Sequence, residues 1–364
     1  MKNIVIFYPS FERGGATKVL INLIKFFSKK KIKVFLISNK KDQSLKNIKN
    51  LKIIVSKSYN FNYINNRISS GISSIISLKK LINNLDSKET IILSMQSNFF
   101  PAFLSFFLNW KVFTRVSEDP CDATKFADNK FFAYLILITK FLTYNFSYKV
   151  VVNATKSKKC VEKFLLNKKK VVLLFNPSLS KIIKRKNNYR KNYILNVGRL
   201  CKQKNQSLLI DAFYIFYRKN KKYKLLFCGD GPDKKKLIKQ ADNLQLSKNI
   251  KFLGWSKNLD KIYKNSKLFI LTSYYEGMPN ALIEAINYEL PSIALNSSGV
   301  EDVLLNGKGG EILYDRNIKV LANKMSQVIL NYKKILKKTK KSKKKIDQYY
   351  IEKAGQKYIN NLCK

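Results

Sequence analysis

Short runs of consecutive apolar, β-branched-rich residues alternate along this chain with stretches whose apolar positions recur every three to four residues. In the first half the runs are NIVIFY (3–8), KVFLIS (33–38), KIIVS (52–56), TIILSM (90–95), KVFTRVS (111–117), KVVVNA (149–154) and KKVVLLFNP (169–177). Between them, TKVLINLIKFFSKK and SSIISLKKLINNL carry helical spacing. The basic, weakly periodic segment 179–192 reads as a linker. The alternation then restarts with YILNVG (193–198), YKLLFCG (223–229), IKFLG (250–254), KLFILTS (267–273) and PSIALN (291–296), again separated by helical stretches. Residues 346–364 read as a closing helix with Tyr349, Tyr350, Ile351, Ala354 and Tyr358 on its apolar positions, packing back on the N-terminal domain. Continuous rather than alternating apolar strands imply parallel sheets covered on both faces.

The pattern therefore predicts an α/β fold with two Rossmann-like domains, 1–178 and 193–345, facing one another across a cleft. A chain of 364 residues is long enough for two cores. Two further apolar stretches, FFPAFLSFFLNW (99–110) and FFAYLILITKFLTY (131–144), are interrupted by Pro101 and Lys140 and fall short of the ~18 residues of a spanning helix. They read as buried helices, the second also suiting a membrane interface. The start, MKNIVIFYPS, reads as a first strand rather than a signal peptide.

Charge changes the picture of partners. Lys plus Arg number 71 against 23 Asp plus Glu, a net +48, and only eight of the bases are arginine. Lysine is spread along the whole chain and is densest in KKILKKTKKSKKK (333–345). Nucleic-acid modules cluster arginine with aromatics, so an anionic membrane surface ranks above nucleic acid, and no specific nucleic-acid partner is expected. A solvated basic face, or an AT-rich codon bias favouring Lys, Asn and Ile, accounts for the charge as well. The five cysteines are odd in number and contain no C-x-x-C pair, which argues against a disulfide frame or structural zinc. With no histidine in the chain, Ser-His-Asp and Cys-His catalysis are excluded.

In parallel sheets of this kind, ligands bind beyond the C-terminal ends of the strands. After 3–8 comes PSFERGGATK, where Gly14 and Gly15 permit close backbone approach before a helix N-terminus. After 193–198 comes VGRLCKQKNQ, whose Arg199 and Lys204 suit a diphosphate. Two surface bases are the plainer alternative, stronger for Lys204 than for the rarer Arg199. CGDGPD (228–233) forms a tight turn, with Asp230 placed to cap the next helix, and holds no D-x-D metal triplet. In FLGWSKN, Gly254 and Trp255 stand where a base could stack, or where Trp255 simply packs. TSYYEGMPNALIE places Glu276 before a helix opening at Pro279. The amide run across Met278, Pro279, Asn280, Ala281 and Leu282 then suits phosphate oxygens. Glu276 would repel a phosphate, so it fits sugar hydroxyls or a developing cation. Glu284, one turn in, fits a ribose diol. An acidic helix N-terminus favoured by the macrodipole is the bland reading of the same two acids.

These loops resemble those of family 4 glycosyltransferases, the retaining type with two facing Rossmann domains. The resemblance rests on GGATKVLINL, LNVGRLCKQKNQSLLIDAF, FCGDGP, FLGWS, SYYEGMPNALIEAINYELPSIA and SSGVEDVLLNGKGGEIL, covering most of 193–313. It implies that residues 1–178 form the acceptor-side domain and 193–345 the nucleotide-sugar domain. It implies that Arg199 and Lys204 neutralise the leaving diphosphate, that Glu284 binds the ribose, that Glu276 contacts the transferred sugar, and that Gly14 or Gly15 lies beside the phosphates. It further implies a metal-independent hexosyl transfer with no cofactor beyond the donor, a UDP-sugar or other nucleotide-diphosphate sugar. The donor residues together with the lysine-rich surface point to an oligosaccharide or lipid-linked glycan as acceptor and to a cytoplasmic location, peripheral on the inner face of the plasma membrane. A first-domain histidine common in the family is missing; Arg115, Glu118 or Asp119 are its nearest substitutes. A non-enzymatic polyanion-binding protein and a nucleotide-sugar epimerase are the competing readings.

Overall fold

The computed structural model describes residues 1–12, 14–56, 66–184, 189–256 and 258–363. It divides into two compact units, residues 1–180 with 350–364, and residues 181–349. Of the segment read as a linker, residues 185–188 lie outside the described residues.

In the first unit the chain runs β1 (Asn3–Phe7), α1 (Gly15–Lys29), β2 (Lys33–Ser38), β3 (Leu51–Val55), α2 (Asn66–Ile82), β4 (Thr90–Ser94), α3 (Phe99–Leu108), β5 (Val112–Val116), α4 (Pro120–Lys125), α5 (Lys130–Phe146), β6 (Lys149–Val152), α6 (Thr155–Val161) and β7 (Val171–Leu173). The sheet order is β3-β2-β1-β4-β5-β6-β7, with every described pairing parallel. Parallel neighbours need crossovers, and the intervening helices provide them. The central strands are buried along nearly their whole length, which is why Val, Ile, Leu and Phe dominate their sequences. Ile4, Ile6, Leu20, Ile24, Leu36 and Leu93 meet in one core on the α1 side.

The second unit runs β8 (Tyr193–Val197), α7 (Gln206–Lys219), β9 (Lys224–Cys228), α8 (Lys234–Asn243), β10 (Ile250–Phe252), α9 (Leu259–Asn265), β11 (Leu268–Leu271), α10 (Asn280–Asn287), β12 (Ser292–Leu295), α11 (Val300–Leu304), β13 (Glu311–Leu313), α12 (Ile318–Leu330) and α13 (Tyr332–Lys344). Its order is β10-β9-β8-β11-β12-β13, again parallel. The short β13 follows a glycine-rich turn and has no apolar run long enough to announce it. Arg190, in the segment read as a linker, is built into this unit: its guanidinium donates to the carbonyls of Ser266, Tyr288 and Glu289.

The last helix, α14 (Ile351–Leu362), belongs to the first unit. Leu179 pairs with Tyr350 in a parallel bridge as the chain returns. Gly355 lets α14 lie against α1, since a Cβ there would meet the Phe26 ring at 2.5 Å. Tyr358 and Leu362 complete the α1-side core.

Three expectations are corrected. Helices α3 and α5 are not buried: Phe107 is 63% and Phe131 69% exposed. Each is apolar all round, whereas a helix lying on a sheet can hide only one stripe; on α5 that stripe includes Ala133, Thr143 and Tyr144. Cys121 and Cys160 form a disulfide between α4 and α6, which their 39-residue separation did not announce. Finally, the lysine tract is not one uniform solvated face. On α13, Lys338 pairs with Glu311 at 2.7 Å and Lys343 donates to the Asn287 carbonyl at 2.6 Å.

Candidate active site

In the second unit the strand order reverses between β8 and β11, which lie side by side with Ile194 opposite Leu268. The carboxyl ends of strands at such a reversal are the usual ligand position in an open parallel sheet. The loop after β8 carries Arg199 and a short 3-10 turn, Lys202–Lys204; the loop after β11 carries Thr272 to Glu276.

The two loops are stitched together. Tyr274 N–H donates to Gln203 O at 2.8 Å, Gln203 Nε2 to Tyr275 O at 2.9 Å, and Thr272 Oγ1 to Lys204 O at 2.9 Å. On this frame Lys204 Nζ reaches Glu276 Oε1 at 2.6 Å. Ser273 Oγ donates to the same oxygen at 2.7 Å. Both donors converge on one oxygen of a carboxylate that is only 8% exposed, so the pair is short, partly desolvated and fixed in direction. Asn205 Nδ2 at the N-cap of α7, and Asn296 Oδ1 and Ser297 Oγ just past β12, are among the buried side-chain polar atoms without a hydrogen-bond partner among the described residues.

Glu284 lies on α10 and accepts from Tyr263 Oη at 2.9 Å. Tyr263 is fully buried on α9 and stacks on Tyr288 at 5.5 Å. Burial first, and the adjacent Glu284 carboxylate second, hold its phenol well above the ordinary value, so it stays a donor. Arg316 donates to Tyr274 O and Asn296 O, bracing the loops after β11 and β12 together.

The start of α10 departs from expectation. The helix opens at Asn280, and Pro279 is its N-cap, with φ −75° and ψ 87°. Pro279 has no N–H, and the Leu282 N–H donates to Pro279 O at 3.0 Å. Leu282, fully buried, therefore does not belong to an open amide run, which is confined to residues before it. Gly299 packs on this turn in the left-handed region, φ +78°, where a Cβ would stand 2.6 Å from Gly277 O.

The other expected residues divide. Arg199 is exposed just past β8, with its carbonyl held by Gln206 Nε2. Gly254 accepts from the Gly229 N–H at 2.8 Å, and Trp255 beside it is 46% exposed, so it is not a packing residue. Asp230 bonds the neighbouring Gly231 N–H and Lys234 rather than capping α8. Gly14 and Gly15 stand in the first unit at the start of α1, and Gly14 is extended with nothing within 4 Å of an added Cβ. Its backbone does not require glycine. Of the histidine substitutes, Arg115 is buried and donates to Asn176 Oδ1 and Ser117 Oγ, and Asp119 caps α4 through the Asp122 N–H. Glu118 is exposed. Ser273, Tyr263, Gln203 and Arg316 were missed by sequence reasoning. Only Ser273, three residues before Glu276, had a spacing that could have exposed it.

The family described as Glycosyl transferases group 1 matches residues 179–346, nearly the whole second unit. The chain is similar to an uncharacterized glycosyltransferase of Methanocaldococcus jannaschii, 32% identical over 54% of this chain and 51% of that protein, so the match spans about half the relative's length. It is also similar to a Campylobacter jejuni protein named GalNAc-alpha-(1->4)-GalNAc-alpha-(1->3)-diNAcBac-PP-undecaprenol alpha-1,4-N-acetyl-D-galactosaminyltransferase, 24% identical over 90% of this chain and 89% of that one. Among solved structures, Anabaena HepE in complex with UDP-glucose superposes with a TM-score of 0.81, 16% identical over 99% of each chain. That identity speaks to the fold, an α/β architecture of two parallel-sheet, Rossmann-like domains.

Proposed function

Residues 179–346 match the group 1 glycosyl transferases, and from that premise we propose that the chain is a glycosyltransferase that moves a sugar from a nucleotide-diphosphate sugar, a UDP-sugar, to a glycan acceptor with retention of configuration. The observation that carries the reading is the 2.6 Å Lys204–Glu276 pair at the strand-order reversal of the second unit.

In the resting site Glu276 holds Lys204 in place. When donor binds, the Lys204 ammonium and the Arg199 guanidinium take up the diphosphate charge that grows as the bond from the sugar C1 to phosphate oxygen breaks. Fixed cations at such a point stabilise the transition state without reorganising. Glu276, relieved of part of its partner, accepts hydroxyls of the transferred sugar. Glu284, oriented by Tyr263, accepts from the ribose diol. The acceptor hydroxyl oxygen bonds to C1 from the face the phosphate leaves, and its proton passes to the departing phosphate oxygen. Lysine and arginine supply the charge that a metal supplies elsewhere, so the reaction is metal-independent.

The Campylobacter relative's name contains a diphosphate-linked undecaprenol, which supports a lipid-linked acceptor here. No described helix is long and apolar enough to cross a membrane. The exposed aromatics of α3 and α5 support a peripheral position, which we place on the cytoplasmic face. The family match disfavours both an epimerase and a polyanion-binding protein without activity.

Transfer from UDP-sugars to polyprenyl-diphosphate glycans, with chelator present, tests the proposal. Glu276→Gln and Lys204→Ala are each expected to lower kcat on the order of 10²–10³-fold with unchanged folding. Wild-type transfer by either variant removes these roles, and loss of activity on chelation removes metal independence.

A further inference from the structure

We infer that α3 and α5 of the first unit form the face that seats the chain on an anionic bilayer, and that a lysine-lined cavity at their end takes lipid phosphate. The inference rests on the peripheral location proposed above and names the surface responsible.

Phe106 and Phe107 on α3, with Phe131, Phe132, Tyr134 and Ile138 on α5, are each more than half exposed. Ring contacts join the two helices: Phe103 meets Phe146 at 6.4 Å, and Phe106 meets Phe146 at 4.8 Å. A contiguous apolar surface of this extent is uncommon on a protein that faces only water. Aromatic side chains presented this way suit the headgroup level of a bilayer.

Where α3 and α5 end, the loops leading into β4, β5, β6 and β7 line an open cavity of about 850 Å³. Lys88, Lys111, Lys149, Lys169 and Lys170 line it, and none of its described lining residues is acidic. Phe106 and Phe146 form part of its wall, so cavity and apolar face are continuous. Lys111 and Lys149 stand 5.2 and 5.8 Å from the Tyr148 ring centroid. Lys170 is engaged in structure, donating to the carbonyls of Asn145 and Ser147. The other four are left to bind anions.

Charge selects the occupant. A second copy of this chain would bring another +48 charge and the same lysines to the contact, and an uncharged apolar partner would leave the cavity unanswered. An anionic bilayer satisfies both parts, with headgroup phosphate at the lysines and acyl-chain boundary at the rings. The cavity lies at the N-terminal edge of the sheet.

The test is flotation of the full chain with phosphatidylcholine vesicles, with and without phosphatidylglycerol, at low and high salt. Wild type is expected on the phosphatidylglycerol vesicles, more weakly at high salt. The exposed-site variants Phe106→Ser/Phe131→Ser/Phe132→Ser and Lys88→Glu/Lys111→Glu/Lys169→Glu are each expected to lower partitioning at least about tenfold, with the UDP thermal shift unchanged. An equal charge change on α13, Lys333→Glu/Lys340→Glu/Lys341→Glu, is expected to cost less. If wild type binds no vesicle, the peripheral location fails. If wild type binds and both variants follow it, or the α13 variant loses more, the assignment of this face fails. A wild-type dimer that becomes monomeric in the serine variant would give the face to a second copy and overturn the inference.

Discussion

Glu276 takes two donors at one oxygen, from Lys204 and Ser273. Removing the smaller donor tests how firmly the carboxylate is set: Ser273→Ala is expected to cost about 1 kcal/mol of stability, the usual net worth of one hydrogen bond, and to lower kcat far less than Glu276→Gln. Tyr263→Phe leaves the stacked ring in place and withdraws the hydroxyl that bonds Glu284 and the Ala281 carbonyl, so UDP affinity measured by calorimetry should fall several-fold while the fold holds. Lys343 offers a pH readout. Burial pushes its ammonium down to about 8. Between about pH 8 and the ordinary lysine value near 10.4, the unfolded chain keeps a proton that the folded chain has released. Stability owed to this group therefore rises with pH across that window. In urea titrations wild type should gain on Lys343→Met as pH climbs through it, and the gap should be flat below. At this scale the sequence was legible where chemistry is rare. Arg199 stood out among so many lysines, and Glu276 among so few acids. Tyr263 did not, because nothing in DKIYKN tells a buried phenol aimed at a carboxylate from an ordinary core tyrosine.

Strands announced themselves because each buried strand needs side chains apolar on both faces, and such runs have few other uses. Helices were less transparent. An apolar helix reads the same whether its outer side meets protein, lipid or water, which is why α3 and α5 pointed toward burial and are in fact exposed. Likewise the donor run before α10 was misjudged at Leu282, because the amide that closes the first helical turn cannot be told from sequence. The turn before α10 depends on its neighbour at Gly299. Gly299→Ala sets a methyl 2.6 Å from Gly277 O at φ +78°. It is expected to cost about 1–3 kcal/mol and to weaken UDP binding, read by thermal denaturation with and without the nucleotide. Gly355→Leu should similarly prise α14 from Phe26, lowering the stability of the first unit by about 1–3 kcal/mol through overpacking.

Each unit carries its own sheet and core, so heating should resolve two transitions rather than one. UDP is expected to raise only the transition of the second unit, because a ligand stabilises what it binds; calorimetry with and without UDP checks this. The two-domain plan was open to sequence reading because the strand–helix rhythm stops near residue 178 and begins again at 193. The lysine excess was not open to such reading: composition cannot separate Lys338, paired with Glu311, from lysines lining a cavity.

The return of α14 to the first unit has a consequence during synthesis. The ribosome makes the first 180 residues early, yet Phe26 waits uncovered until residues 351–362 emerge, after all of the second unit. The later-made unit is thus the first whose chain is complete, and the N-terminal one closes last. A nascent chain stalled before Tyr350 would display an unfinished, chaperone-attracting patch on α1.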